Sequence, residues 1–196
     1  MRVLAPDAGG IALAAEALRR GEVVAYPTET VYGLAVDPFR PEAIARLFAA
    51  KGRDEGNPIL LIVSDASQLS RVALETSPAA RSYMEDFWPG PLSLLLPRCA
   101  HLPAEVTAGS DKVCVRCPDC AVARQLCDAF GGAITSTSAN RSGEPPAQSV
   151  EAIDLPGVAI ALDGGPLPDS RPSTILDPDS GRVLREGAIA ADALRR

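Results

Sequence analysis

Several stretches carry residue types able to do chemistry on small polar or anionic ligands. Pro27-Thr28-Glu29-Thr30-Val31-Tyr32-Gly33-Leu34 follows an apolar run and places two hydroxyls and a carboxylate at its end, with a glycine behind them. Such a set can hold a ligand by hydrogen bonds, and the same residues also make an ordinary Pro/Thr turn. Lys51-Gly52-Arg53 closes a helical pattern. Cations there complement the helix dipole, while an ammonium beside a planar guanidinium suits a polyphosphate. Thr135-Ser136-Thr137-Ser138-Ala139-Asn140 lines up four hydroxyls and an amide where a strand runs out into a loop. Buried hydroxyls need partners, from a backbone cap or from a ligand. Arg116 and Arg185 each end an apolar strand-like run, and alternation sets Arg116 opposite Val113 and Val115, as on an exposed strand face or edge.

Other chemistries are disfavoured by what is scarce. His101 is the sole histidine, so a Ser/His/Asp hydrolase or a multi-histidine metal site would have to be built around it. Neither G-x-x-x-x-G-K-[ST] nor a strand-to-helix G-x-G-x-x-G is present, so any nucleotide is held by another architecture. Cys114, Cys117 and Cys120 have the spacing of metal sites, with Cys127 further on. However, Cys114 falls in a strand, and Cys120, Ala123 and Cys127 share a helical face as small core residues do.

The 196 residues suit one domain with a real core. At 46% hydrophobic and 22% charged, the chain is not of the disordered class. Nineteen Lys plus Arg against 25 Asp plus Glu give −6, which argues against a generic nucleic-acid coat but leaves room for a local basic cleft. No apolar run reaches the ~18 residues of a membrane helix, and the N-terminus lacks the apolar run of a secretory signal, so a cytoplasmic protein is expected.

The elements that must position these residues alternate along the chain. Periodicity, caps and breakers predict helices over 11–20, 41–50, 66–72, 78–87 and 121–130. They predict strands over 23–26, 59–63, 92–96, 113–116, 133–137 and 158–162. A Gly/Pro loop at 141–146 precedes a short helix, and a hairpin joins 173–176 to 182–185 through Asp177-Pro178-Asp179-Ser180-Gly181. This interleaving means an α/β fold.

Taken in this order, YPTETVYGLAVD, KGR, FWPGPLSLLL, VRCP, STSANRSGEPP, DGGP, PSTILD and REG resemble the threonylcarbamoyl-AMP synthase family of the YrdC/TsaC type, over about 23–187. The resemblance implies a single YrdC-like domain over 1–196, with its core at about 7–190 and no additional C-terminal domain. It implies a twisted mixed sheet flanked by helices, with a large basic cleft for ATP and L-threonine. The implied reaction condenses L-threonine, bicarbonate or CO2, and ATP into threonylcarbamoyl-adenylate and pyrophosphate. That product is destined for a tRNA threonylcarbamoyl-transfer machinery.

Residue by residue, the resemblance assigns Lys51, Arg53, Ser138, Asn140 and Arg185 to the nucleotide, with Asn57 and Pro146 beside it. It assigns Thr30, Arg116, Ser136 and Thr174 to threonine. No covalent nucleophile and no protein metal site are implied; Mg2+ arrives held by the ATP phosphates. An RNA-binding or ribosome-maturation module using the same cleft, with weak RNA affinity, is the alternative. The chain departs from the family at Asp54, at Thr137 and at Asp169-Ser170-Arg171.

Overall fold

Short buried strands and capped helices alternate as the sequence pattern requires, in a computed structural model that describes residues 1–52 and 56–195. The strands are β1 (Arg2–Leu4), β2 (Val23–Tyr26), β3 (Gly33–Ala35), β4 (Leu60–Ile62), β5 (Leu92–Pro97), β6 (Lys112–Arg116), β7 (Ile134–Ser138), β8 (Val158–Leu162), β9 (Thr174–Asp177) and β10 (Arg182–Arg185). The helices are α1 (Ala8–Arg19), α2 (Pro41–Lys51), α3 (Pro78–Phe87), α4 (Ala104–Thr107) and α5 (Ala121–Phe130).

Helix ends follow local chemistry. The Asp7 carboxylate accepts from Gly10 N at 2.9 Å, and Ser77 caps α3 by accepting from Ala80 N at 3.1 Å. Pro41 and Pro78 open their helices, where a missing N–H costs nothing. Gly52 and Gly131 close α2 and α5 in the left-handed region.

The strands form one mixed ten-stranded sheet in the order β1-β8-β2-β3-β7-β4-β6-β5-β9-β10. Three elements escape the sequence pattern. Strands β1 and β3 have three residues each and α4 has four, too short to show a period. The run 59–63 pairs as a strand only over Leu60–Ile62, because Ile59 N turns to Val106 O at 2.8 Å. The expected helix at 66–72 is a 3-10 helix, Ala66–Arg71.

The two faces of the sheet are covered unequally. On one face, Leu34, Leu61, Leu94, Val113, Val115 and Leu176 join one cluster with residues of α2, α3 and α4. On the other, α1 and α5 bury Val24, Tyr26, Ala35, Ile62, Ile134 and Ile160, while β5, β6, β9 and β10 contribute nothing to that cluster. This half of the second face therefore has no helix over it among the described residues. Its exposure is uneven: Leu95, Cys114 and Ile175 are only half-buried, while Ser93, Arg116 and Ser173 on the same side are buried; Leu94, Val115 and Leu176 on the opposite side are fully buried. Among the described residues, no helix is long and apolar enough to cross a membrane.

Candidate functional site

Cross-strand register decides which side chains share this second face of the sheet, because directly paired residues point the same way. Leu60 pairs with Ser136, Ile62 with Arg116, Gly33 with Ser138 and Leu95 with Cys114. Ser136, Ser138, Cys114 and Arg116 therefore stand on one side of the sheet. Arg185, on the edge strand, comes near Cys114 and Arg116 on this side: its Nε and Nη2 donate to Ser173 O at 3.2 and 2.8 Å, and Nη2 also lies 3.2 Å from Ser173 Oγ. Ser173 in turn sits 2.9 Å from the hydroxyl of Ser93, which is fully buried. Desolvation lowers the pKa of the Arg185 guanidinium, with the Cys114 thiol opposing and the like charge of Arg116 lowering it further. Two guanidiniums thus share one polar face.

Arg116 is not at an edge. It ends the interior strand β6, is only 3% exposed, and donates from Nη1 to Glu29 Oε1. This corrects the exposed-edge expectation; the physical reason is that the 27–32 loop supplies a carboxylate to the buried cation. The loop is a tight turn: Thr28 Oγ1 accepts from Thr30 N at 3.1 Å and Val31 N at 3.2 Å and donates to Val31 O at 2.7 Å. The Thr30 hydroxyl lies 3.0 Å from that of Thr28.

Neighbouring loops clamp this turn. Tyr32 Oη donates to Gly165 O and accepts from Gly164 N, both at 2.9 Å, and Ser170 Oγ donates to Thr30 O at 2.8 Å. Gly164 packs so close that a Cβ there would lie 2.7 Å from Pro27 Cγ. Ala139 N donates to Tyr32 O at 2.8 Å, which joins the turn to the end of β7.

Lys51, from the last turn of α2, is buried and donates to Ser138 O and to Asn140 O, the latter at 2.9 Å. Asn140 Nδ2 donates to Arg141 O at 2.9 Å and Glu144 O at 2.6 Å, folding the loop on itself. The structure thus brings Lys51, Ser138 and Asn140 together, with Ser136 on the same strand. Asn57 and Pro146 are exposed at the surface. Arg53, and the departure at Asp54, lie outside the described residues.

Thr174 stands apart from the open face. It is fully buried, accepts from Gly187 N at 2.9 Å and Ile189 N at 3.1 Å, and donates to Ile189 O at 2.6 Å. That uses the whole capacity of a hydroxyl, so Thr174 holds the 187–189 turn. The residue before it, Ser173, is the one facing Arg185. Ser173 is the site residue that motif reading missed, while Glu29 stands out there as the carboxylate of the PTET motif but is given no role.

The cysteines are scattered. Cys117 belongs to the core on one face and Cys127 to the core on the other, while Cys114 lies on the open half-face. No group of three or more potential metal ligands occurs among the described residues. Burial pushes the Cys114 thiol up to about 12, against the pull of Arg185 and Arg116, and pushes Cys117 up to about 11.

Comparison with known proteins follows the same outline. The Sua5/YciO/YrdC family model, described as "Telomere recombination", matches residues 16–187. A protein of Alkalilimnicola ehrlichii named threonylcarbamoyl-AMP synthase is 46% identical over 174 residues, covering 86% of this chain and 90% of its own. One of the same name from Bacillus subtilis is 40% identical over 190 residues, 94% of this chain and 55% of its own. The crystal structure of Pyrococcus abyssi Sua5 complexed with L-threonine superposes with a TM-score of 0.88 at 34% identity, covering 95% of this chain and 56% of that one. The chain therefore spans about half the length of the Bacillus and Pyrococcus proteins and nearly all of the Alkalilimnicola one. With a family model matched along most of its length, and relatives matched at this identity, the chain belongs to the Sua5/YciO/YrdC family.

Proposed function

We propose that this protein is a threonylcarbamoyl-AMP synthase, condensing L-threonine, bicarbonate or CO2, and ATP into threonylcarbamoyl-adenylate and pyrophosphate. The observation that carries this reading is one side of the sheet, on which Arg116, Ser136 and Ser138 point the same way and Arg185 comes near Arg116 from the edge strand, on a chain whose relatives bear that name.

On this reading Arg116 takes the threonine carboxylate, with Thr30 and Ser136 beside it; Thr174 contributes through the turn it holds. Ser138, Asn140 and Arg185 meet the nucleotide, with Asn57, Pro146 and Arg53 around it. Lys51 shapes the 138–140 segment from behind and adds positive charge near the phosphates. Mg2+ enters as part of the ATP substrate.

The threonine nitrogen, deprotonated, adds to CO2, or to bicarbonate with loss of water, to give a carbamate; a carbamate oxygen then attacks the α-phosphate in line, and pyrophosphate leaves. No protein nucleophile is required. The hydrogen-bonded 27–32 and 138–140 segments position the two reactants, and the Arg185 guanidinium, seated on Ser173, stabilises charge that develops on the phosphates. The product passes to a tRNA threonylcarbamoyl-transfer machinery.

The test is pyrophosphate release from MgATP and bicarbonate, with and without L-threonine, with serine as a control. Threonine-dependent release together with the mass of threonylcarbamoyl-adenylate is expected. Absence of such release from folded protein overturns the reading. Arg53→Ala is expected to weaken ATP use strongly while the melting temperature holds.

A further inference from the structure

The pair between Glu29 and Arg116 is deeply placed but only half made. The Arg116 side chain is 3% exposed and that of Glu29 19%. One N–H, from Nη1, goes to Glu29 Oε1, while Arg116 Nε and Glu29 Oε2 are buried with no partner among the described residues. An arginine and a carboxylate ordinarily close as a fork of two parallel bonds. A bare buried donor and a bare buried acceptor each carry a desolvation penalty, and here they lie on the two members of one pair.

The two bare atoms are opposite in kind. A donor on a cation calls for an anionic oxygen, and an acceptor on an anion calls for a cationic N–H. A polyphosphate or a simple carboxylate would satisfy Arg116 and be repelled by Glu29. A molecule with a carboxylate and an ammonium on the same carbon satisfies both. The turn that carries Glu29 is locked by the three Thr28 hydrogen bonds and by Ser170 on Thr30 O, so the carboxylate is aimed by structure and not by chance.

We propose that Glu29 is a specificity-determining residue of the amino-acid pocket: its carboxylate takes the α-ammonium while Arg116 takes the α-carboxylate. The pair then selects zwitterionic amino acids against acids that lack the amine. This rests on the proposed function only for the identity of the amino acid.

The test is calorimetric titration of the full chain with L-threonine and, separately, with 3-hydroxybutanoate, which keeps the carboxylate and hydroxyl but lacks the amine. Wild type, Glu29→Gln and Glu29→Asp are compared, each with its thermal melt. In Glu29→Gln, threonine binding is expected to weaken about tenfold to a hundredfold, as for loss of a hydrogen bond to a charged group. Binding of 3-hydroxybutanoate is expected to hold or strengthen, so the preference for the amine collapses. Glu29→Asp, which keeps the charge but withdraws it by one methylene, is expected to lose part of the preference with little change in melting, and decides the matter if Glu29→Gln fails to fold.

A merely structural role weakens both ligands together or neither; an unchanged ratio in the folded variants overturns the proposal, as does a wild type that binds no α-amino acid. Selective threonine binding without threonine-dependent pyrophosphate release overturns the synthase reading and leaves this inference standing.

Discussion

Lys51, the last residue of α2, holds its ammonium 2.9 Å from the carbonyl oxygen of Asn140. With the bond to Ser138 O, this ties a helix end to the outflow of β7 and sets the path of the 138–140 segment. Lys51→Met is expected to take the ammonium from Asn140 O and leave Ser138 O with Asn140 N as its donor, at about 1–3 kcal/mol. That lowers the melting temperature by several degrees and raises KM for ATP. Lys51→Arg replaces a compact ammonium by a planar fork and is expected not to restore either. Differential scanning calorimetry and steady-state kinetics check both outcomes.

Arg116→Ala removes the cation proposed for the threonine carboxylate and strands the Glu29 carboxylate. Truncating one partner of a buried pair costs about 2–5 kcal/mol. KM for threonine should therefore rise about thirtyfold or more, on the same scale, while KM for ATP changes far less. Equal changes in both would remove Arg116 from the amino-acid pocket.

Gly187 is a backbone-contact position. A Cβ there would fall 2.0 Å from Pro172 O and 2.6 Å from Ser173 C. Gly187→Ala must push the 187–189 turn away from Ser173 and Thr174, at the upper end of the ~1–3 kcal/mol of an overpacked site. Because Ser173 also seats Arg185, ATP use should fall together with stability. A variant that melts like wild type but loses activity would show that the turn acts on the nucleotide alone.

The thiols of Cys114 and Cys117 make a pH prediction. Cys114 is raised from an ordinary 9.0 to about 12 and Cys117 to about 11, in both cases chiefly by burial. In the unfolded chain the thiols ionise first, so unfolding releases protons above pH 9. Their contribution is complete below that pH and is lost as pH rises towards 11–12. Urea midpoints measured from pH 7 to 10.5 should fall above about 9, and Cys114→Ser, Cys117→Ser should flatten that fall. At pH 7 the Cys117 thiol, 3% exposed, should react with a disulfide reagent far more slowly in folded than in unfolded protein.

Much of the scaffold was legible in the sequence. The strand over 23–26, the helices over 78–87 and 121–130 and the strand over 158–162 occur at the expected residues, since each is a continuous apolar run or an apolar helical stripe bounded locally by Pro, Gly or Ser. Strand β3 was not legible, because Gly33-Leu34-Ala35 earns its place only by pairing with Tyr26 and Ser138 on two neighbours. The Glu29–Arg116 contact joins residues 87 apart in the chain, and no local pattern reports such a partner.

The amino-acid order by itself determined the alternating elements, their caps and the polar character of the 27–32, 135–140 and 182–187 stretches, because these depend on neighbours a few residues away. Only the tertiary structure decided that α1 and α5 cover one half of a sheet face and leave the other half open. That choice follows from strand order, which is set by pairing across the whole chain. It turned Arg116 from an expected edge residue into a buried cation, and it gave the Thr174 hydroxyl to a turn. The physical reason is the same in both cases: a side chain's solvent exposure and its hydrogen-bond partners are properties of the packed assembly, not of the residue or its near neighbours.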